Sequence, residues 1–515
     1  MAKLTDYTTY KDAQAHFSTQ ALWDLFDGSR ERLNIAHECI DRHADADRPA
    51  LSIAHADGTS EIIGFAELSA ASARFAHYLQ SRGIAPGDRV AIMLEPSLAY
   101  YTALFGAMKA GAVAVPMFTL FGTDGIRLRA EDCRPKLLVT NTEKADEARY
   151  PGAPEVVVAD SAFLQGLEPF AARFDWQTAG GDLAVLQYTS GTTRLLPDAV
   201  RHTHRSIVTL MIAALYATGI RPGDRFFCPS SPAWGHGLWH GTLAPLALGV
   251  STGTFSGRFD PERLLRALEE FGITNLSAAA THYRMIRNCG RAQDFSYQIK
   301  KLSFTGEPID SETAAFTEAL FGTKVCSMYG TTEVGVILAN YPGADDFEVR
   351  DGSLGKPVPG VEVAVHGPDG VQLPPETIGE LVVRRRNGWF PTKDLGRTDA
   401  DGYFYHAGRA DDVIISAGWT MSAVEIENAI LKHPDVAEAA AIGVPDETRG
   451  QIVRAYVVLK REPESDLAGE IQELVRSNLS RHEYPREIEF VTALPKTPAG
   501  KVNRKALRDA TAGAA

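Results

Sequence analysis

VAIMLEPSLAYYTALFGAMKAGAVAVP, residues 90–116, decides the fold. Val90 to Leu94 is a short apolar run after the turn APGD, the pattern of a strand buried on both faces. Leu98 to Ala110 reads as a helix stopped by Gly111, and AVAVP follows as a second buried strand. Strand, helix and strand in about 30 residues make a βαβ unit, which implies a layered α/β architecture. Upstream, Leu68, Ala71, Phe75 and Leu79 share one helical face that ends at Gly83. Downstream, the same rhythm returns at RSIVTLMIAALYATGI (205–220), PERLLRALEEFGITNLSAA (261–279) and SETAAFTEALFGTKVCSMYG (311–330).

Near residue 345 the texture changes. GSLGKPVPGVEVAVHGPDGVQLPPETIGELVVRRR (352–386) has short β-rich runs cut by Gly and Pro, a small β subdomain. After GYFYHAGRADD (402–412), the helical segments AVEIENAILKH and DLAGEIQELVRSNL alternate with the strands AEAAAIGV, IVRAYVVLK and REIEFV. The expected fold is α/β. A large N-terminal region of layered βα subdomains plus the small β subdomain fills residues 1–410, and a compact α+β domain fills 411–515. The boundary near Asp411 is abrupt, closer to a hinge than to a tether.

Composition narrows the function classes. The chain has 515 residues, too many for one core. A net charge of −13 opposes nucleic-acid binding, which needs a basic face. Cys39, Cys133, Cys228, Cys289 and Cys326 are scattered and odd in number, which suits free thiols in a reducing cytoplasm better than disulfides or zinc. The N-terminus lacks the pattern of a signal peptide, and no stretch approaches the roughly 20 apolar residues that span a bilayer. These features predict a cytoplasmic protein without a membrane partner; the number of subunits is not legible.

Five stretches carry chemistry: YTSGTTRLLPDAVRHTH (188–204), FTGEPID (304–310), MYGTTEVG (328–335), KDLGRTDADGYFYHAGRADDVI (393–414) and LPKTPAGKVNR (494–504). Each is weak alone, and their order is specific. Together they resemble the adenylate-forming superfamily of acyl-CoA synthetases, adenylation domains and luciferases over nearly the whole chain. GEPID, GSLGKPVPGVEVAV and Trp234 ahead of GTLAPLALG look closest to the acetyl- and medium-chain acyl-CoA synthetases. The resemblance implies ATP, Mg2+ and coenzyme A as cofactors, a small carboxylic acid as substrate, and a mobile C-terminal domain hinged at Asp411. A carboxylate first displaces pyrophosphate from ATP, and a thiol then displaces AMP.

Residue by residue, the resemblance assigns the phosphates to Thr189, Ser190, Gly191, Thr192 and Thr193. It assigns adenine to Gly306, Glu307, Pro308 and Tyr329, further ATP or AMP contacts to Gly330 and Thr331, the α-phosphate to Thr332, and the metal to Glu333. Asp394 and Arg409 fall at the ribose positions, and Gly418 at the pantetheine passage. Thr420 stands where many relatives carry an arginine. Lys501 matches the lysine that bridges carboxylate and α-phosphate, and two anions that must meet need such a cation. Acetylation of Lys501 would remove that charge.

The phosphate loop departs from the family pattern. One residue is added, Arg194 replaces a glycine, and Asp198 occupies the lysine position. Hydroxyls and backbone N–H groups of the front half still suit phosphate oxygens. Three accounts follow: Arg194 swings in to replace the lysine, the loop is ordered with Asp198 toward solvent, or adenylation is impaired. The acyl pocket is expected along SSPAWGHGLWHGTLAPLALG (230–249), where Trp234, His236, Trp239 and His240 are bulky enough to shape a short or ring-fitting chamber. His236 and His240, four apart, also have the spacing of a helical metal pair, although no third ligand is evident. The leading expectation is an AMP-forming acid–CoA ligase. Transfer to a carrier protein or an amine, and a non-catalytic acyl-nucleotide binder, are the alternatives. No carrier domain follows residue 515, which weighs against the first of these.

Overall fold

The computed structural model describes residues 2–44, 48–188, 199–331, 334–409, 413–416, 419–446, 450–461, 466–479, 484–496 and 502–512. The chain forms two compact units: residues 1–305, 317–328 and 341–348 make the first, and residues 306–316, 329–340 and 349–515 the second. The expected division at 410/411 falls inside the second unit.

The first unit is layered α/β. The opening stretch becomes strand Arg89–Met93, helix Leu98–Lys109 and strand Val113–Pro116, with the strands adjacent and parallel. Val90, Ala91, Ile92 and Met93 are all fully buried, as an apolar run covered on both faces must be. The Ser97 hydroxyl accepts from the Tyr100 N–H and starts the helix; Gly111, at φ +73°, follows its end. These strands belong to a six-stranded sheet in the order 155–158, 137–140, 89–93, 113–116, 183–188, 199–203. Its pairs are parallel except the last, where Leu183–Tyr188 runs antiparallel to Ala199–Thr203.

A second sheet of this unit runs 325–328, 301–305, 275–279, 225–227, 251–256, 49–55, 60–64. It too is parallel but for the terminal hairpin Pro49–His55 with Ser60–Gly64.

In the second unit an antiparallel sheet orders 363–366, 379–385, 388–398, 404–409, 353–357, 335–339. The β texture expected from about residue 345 therefore starts earlier, at strand Gly335–Ala339. Gly335, the first residue of this strand, has a left-handed backbone at φ +70° that glycine adopts without strain. Farther on lie the helices Ala423–Ile430, Leu467–Asn478 and Arg504–Ala512 and a three-stranded sheet of Val436–Asp446, Gly450–Leu459 and Glu487–Phe490, as the alternation of patterns predicts. Ile414, Ile426, Ile430, Ala441, Val457 and Ile471 form its core. Arg504 grips the buried Glu427 carboxylate at 2.9 and 2.5 Å, and the Ala441 N–H donates to the same carboxylate.

Candidate active site

The phosphate-loop residues Thr189, Ser190, Gly191, Thr192, Thr193, Arg194 and Asp198 lie outside the described residues; their frame does not. Tyr188 and Ala199, the last and first described residues on either side, face each other in an antiparallel ladder. The Tyr188 hydroxyl donates to Asp132 Oδ2 at 2.6 Å and to the Arg129 carbonyl at 3.2 Å, which fixes the entry to the loop. Burial, then the hydrogen bond to Asp132, pushes the Tyr188 phenol far above its ordinary range, so it remains a neutral donor.

The second unit gathers positions that are remote in sequence. Tyr329, half-buried, donates from Oη to Asp394 Oδ2 at 2.7 Å. Asp394 is 5% exposed and sits directly across the ladder from Arg409, whose side chain lies outside the described set. Lys393, just before Asp394, has a left-handed backbone at φ +63°. The Asp394 N–H then donates to Thr392 Oγ1 at 3.2 Å. Gly330 can be nothing larger, since a Cβ there would stand 1.9 Å from the Gly335 carbonyl oxygen. Thr331 ends strand Val325–Thr331, and Gly306, at φ +99°, opens the turn that contains Glu307 and Pro308. Thr332 and Glu333 lie outside the described residues.

His406 joins this group without any signal in the sequence. Its ring lies 6.2 Å from that of Tyr329, its Nε2 is 4.0 Å from Asp394 Oδ1, and its buried Nδ1 has no hydrogen-bond partner among the described residues. Asp411, Gly418 and Lys501 also lie outside the described residues. Gly418 belongs to the two-residue connection between the paired strands Val413–Ser416 and Trp419–Ser422, and Thr420 is on the second of these. Lys496 and Val502 flank Lys501 and pair in an antiparallel bridge, with the Asn503 N–H on the Pro495 carbonyl at 2.8 Å.

The expected acyl wall is built on a π-helical segment, His236–Leu243. Such widened turns are rare and concentrate at functional sites. Gly237 allows it, because a Cβ there would collide with the Ser230 and Ser231 carbonyls at 2.3 and 2.2 Å. His236 is 4% exposed, with Nδ1 at 2.9 Å from Ser230 Oγ and Nε2 at 2.9 Å from Ser277 Oγ. Burial, with His240 and His282 nearby, holds it well below the usual imidazole range. Both nitrogens are engaged, so His236 offers no lone pair for a metal shared with His240. No group of three or more His, Cys, Asp or Glu among the described residues is placed to hold a metal ion. Trp234 packs edge-on against His236 at 5.5 Å, and the Trp239 indole N–H donates to Gln187 Oε1 at 3.0 Å. Gln187 precedes Tyr188, so Trp239 is tied to strand Leu183–Tyr188. No helix among the described residues is long and apolar enough to cross a membrane.

Comparison with known proteins shows the family. The AMP-binding enzyme family matches residues 40–389, and the AMP-binding enzyme C-terminal domain matches residues 425–501. The chain is 31% identical to acetyl-coenzyme A synthetase of Bacillus subtilis (strain 168), over 97% of this chain and 94% of that one. The crystal structure of a Brucella canis acyl-CoA synthetase superposes with a TM-score of 0.77 at 32% identity, covering 99% of this chain and 100% of that one. The anthranilate CoA ligase AuaEII in complex with anthranoyl-AMP gives a TM-score of 0.86 at 25% identity, over 97% and 100% of the two chains. With both family domains in order along its length, the chain belongs to the AMP-binding, adenylate-forming enzymes and, among them, to the AMP-forming acid–thiol ligases that use ATP.

Proposed function

We propose that this enzyme couples a small or medium carboxylic acid to coenzyme A in two half-reactions. In the first, a carboxylate oxygen attacks the α-phosphorus of ATP, the bond to the β-phosphate breaks, and acyl-adenylate and pyrophosphate result. In the second, the thiol sulfur attacks the acyl carbon, AMP leaves, and the thiol proton passes to solvent. The observation that carries the nucleotide assignment is the Tyr329–Asp394 hydrogen bond of 2.7 Å, with Arg409 across the ladder. It joins positions that the family motifs give to adenine and to ribose.

The remaining roles follow from the chemistry. Tyr329 and the Gly306–Pro308 turn receive adenine, with Gly330 and Thr331 continuing that wall. Asp394 accepts from the ribose hydroxyls, and Thr332 donates to the α-phosphate. Mg2+, held by Glu333, supplies charge neutralisation at the phosphates. Lys501, carried by the C-terminal domain, stands between carboxylate and α-phosphate and lowers their repulsion as they approach. Rotation about Asp411 then exchanges Lys501 for the Gly418 passage, where the absence of a β-carbon admits pantetheine. Trp234 and His236 bound the acyl group, and Arg194 supplies the phosphate-loop cation that Asp198 does not.

ATP–pyrophosphate exchange over a panel of acids tests the first half-reaction; no exchange with any acid would favour a nucleotide binder. AMP release that ignores free coenzyme A would favour a carrier protein or amine as acceptor. Lys501→Ala is expected to lower exchange by about 100-fold or more while thioester formation from supplied acyl-adenylate persists, and equal loss of both would refute its role. Acetylation of Lys501 removes the same charge and is expected to act on the same half-reaction.

A further inference from the structure

Two imidazoles beside the acyl wall have no role in the steps above. His282 is the third residue of helix Ala280–Asn288, which starts at the C-terminal end of the parallel strand Asn275–Ala279. In open α/β sheets that edge is where ligands bind. Its Nδ1 accepts the Ala279 N–H at 3.2 Å. A neutral imidazole has one lone pair and one N–H, so this bond places the His282 proton on Nε2 and makes that nitrogen a donor. No described residue accepts from it.

His240, on the π-helical segment, makes no side-chain hydrogen bond to a described residue, and its Nδ1 is buried without a partner. Its ring stands 6.1 Å from that of His236, beyond which lies Trp234. Phe259 lies 4.5 Å from His282. Burial lowers His240 and His282 to about 4, so both are neutral at physiological pH. Each therefore offers a hydrogen bond and no charge, within aromatic surroundings.

We propose that His240 and His282 select the acid, and that the acyl group carries an uncharged oxygen, a hydroxyl or a keto group, which accepts from His282 Nε2–H and pairs with His240. This rests on reading residues 230–249 as the acyl wall. A plain alkyl or aryl acid offers no partner to the buried His240 Nδ1 or to the His282 Nε2–H, which is how a site built to bond a hydroxyl discriminates against the analogue without it. A dicarboxylic acid brings a second negative charge that neutral imidazoles cannot offset.

The test compares kcat/KM in ATP–pyrophosphate exchange for pairs of short aliphatic and benzoic acids that differ by one hydroxyl or keto oxygen. The oxygenated partner is expected to be favoured by ~10- to 100-fold. His282→Leu is expected to erase the preference by slowing only the oxygenated acid, and His282→Gln, which keeps an N–H donor, to restore part of it. His240→Phe is expected to weaken the preference likewise. The wild-type comparison decides the matter even if a variant fails to fold. Equal use of both partners, or a preference that survives both His282→Leu and His240→Phe, overturns the assignment and leaves the ligase reading intact. Exchange with no acid at all overturns that reading, and the inference with it.

Discussion

Asp394 is the residue on which the nucleotide assignment turns. A carboxylate only 5% exposed needs donors, and the Tyr329 hydroxyl is one. Removing the charge with Asp394→Asn is expected to raise KM for ATP by ~10- to 100-fold, since hydrogen bonds to charged groups contribute about 1.5–3 kcal/mol. Tyr329→Phe keeps the ring and loses only the hydroxyl, so a rise of a few-fold is expected. Steady-state kinetics with ATP varied at saturating acid measures both, and an unchanged KM in Asp394→Asn would remove Asp394 from the site. The motif around Asp394 was legible because its neighbours are distinctive. His406 was not, because strand Gly388–Thr398 shifts register between Leu395 and Gly396. Simple alternation along strand Phe404–Arg409 therefore cannot say which residues share a face with Asp394.

At the scale of elements, Tyr188 and Ala199 pair across an antiparallel ladder on either side of residues 189–198, the stretch read as the phosphate loop. Arg194→Ala is expected to raise KM for ATP by ~10-fold if Arg194 supplies the missing cation, and Asp198→Lys to lower it, because a carboxylate near phosphate is replaced by a cation. No change in either variant would favour a loop with both side chains in solvent. The bulky cluster Trp234, His236, Trp239 and His240 is visible in the sequence. Its π-helical form is not, because the widened turn depends on Gly237 touching Ser230 and Ser231, a contact that helical spacing does not encode. Gly237→Ala forces those backbones apart and is expected to destabilise the first unit by ~1–3 kcal/mol, read as a lower denaturation midpoint.

Across the whole molecule the layered βα pattern was readable because each buried strand is a short apolar run bounded by glycine, proline or a capped helix. The compact units were not, since residues 306–316 and 329–340 leave the sequence of the first unit to join the second. A further property concerns histidines of the first unit. His43, His202, His204, His240 and His282 are each lowered by burial to about 4, and burial also holds His236 well below its usual range. His204 is the clearest case: it is fully buried, its Nδ1 accepts the Ile35 N–H at 3.0 Å, and its buried Nε2 has no partner among the described residues. The unfolded chain takes up protons at these positions near the ordinary imidazole value of 6.5 while the folded chain does not. Their contribution is complete above that pH and is lost progressively as pH falls toward about 4, with His204 alone worth about 3 kcal/mol at its limit. Thermal denaturation of the first unit is therefore expected to hold its midpoint above neutrality and drop steeply below pH ~6.5. His204→Gln, which keeps an acceptor for the Ile35 N–H but does not titrate, is expected to flatten that drop. An acid limb equally steep in His204→Gln would place the sensitivity elsewhere.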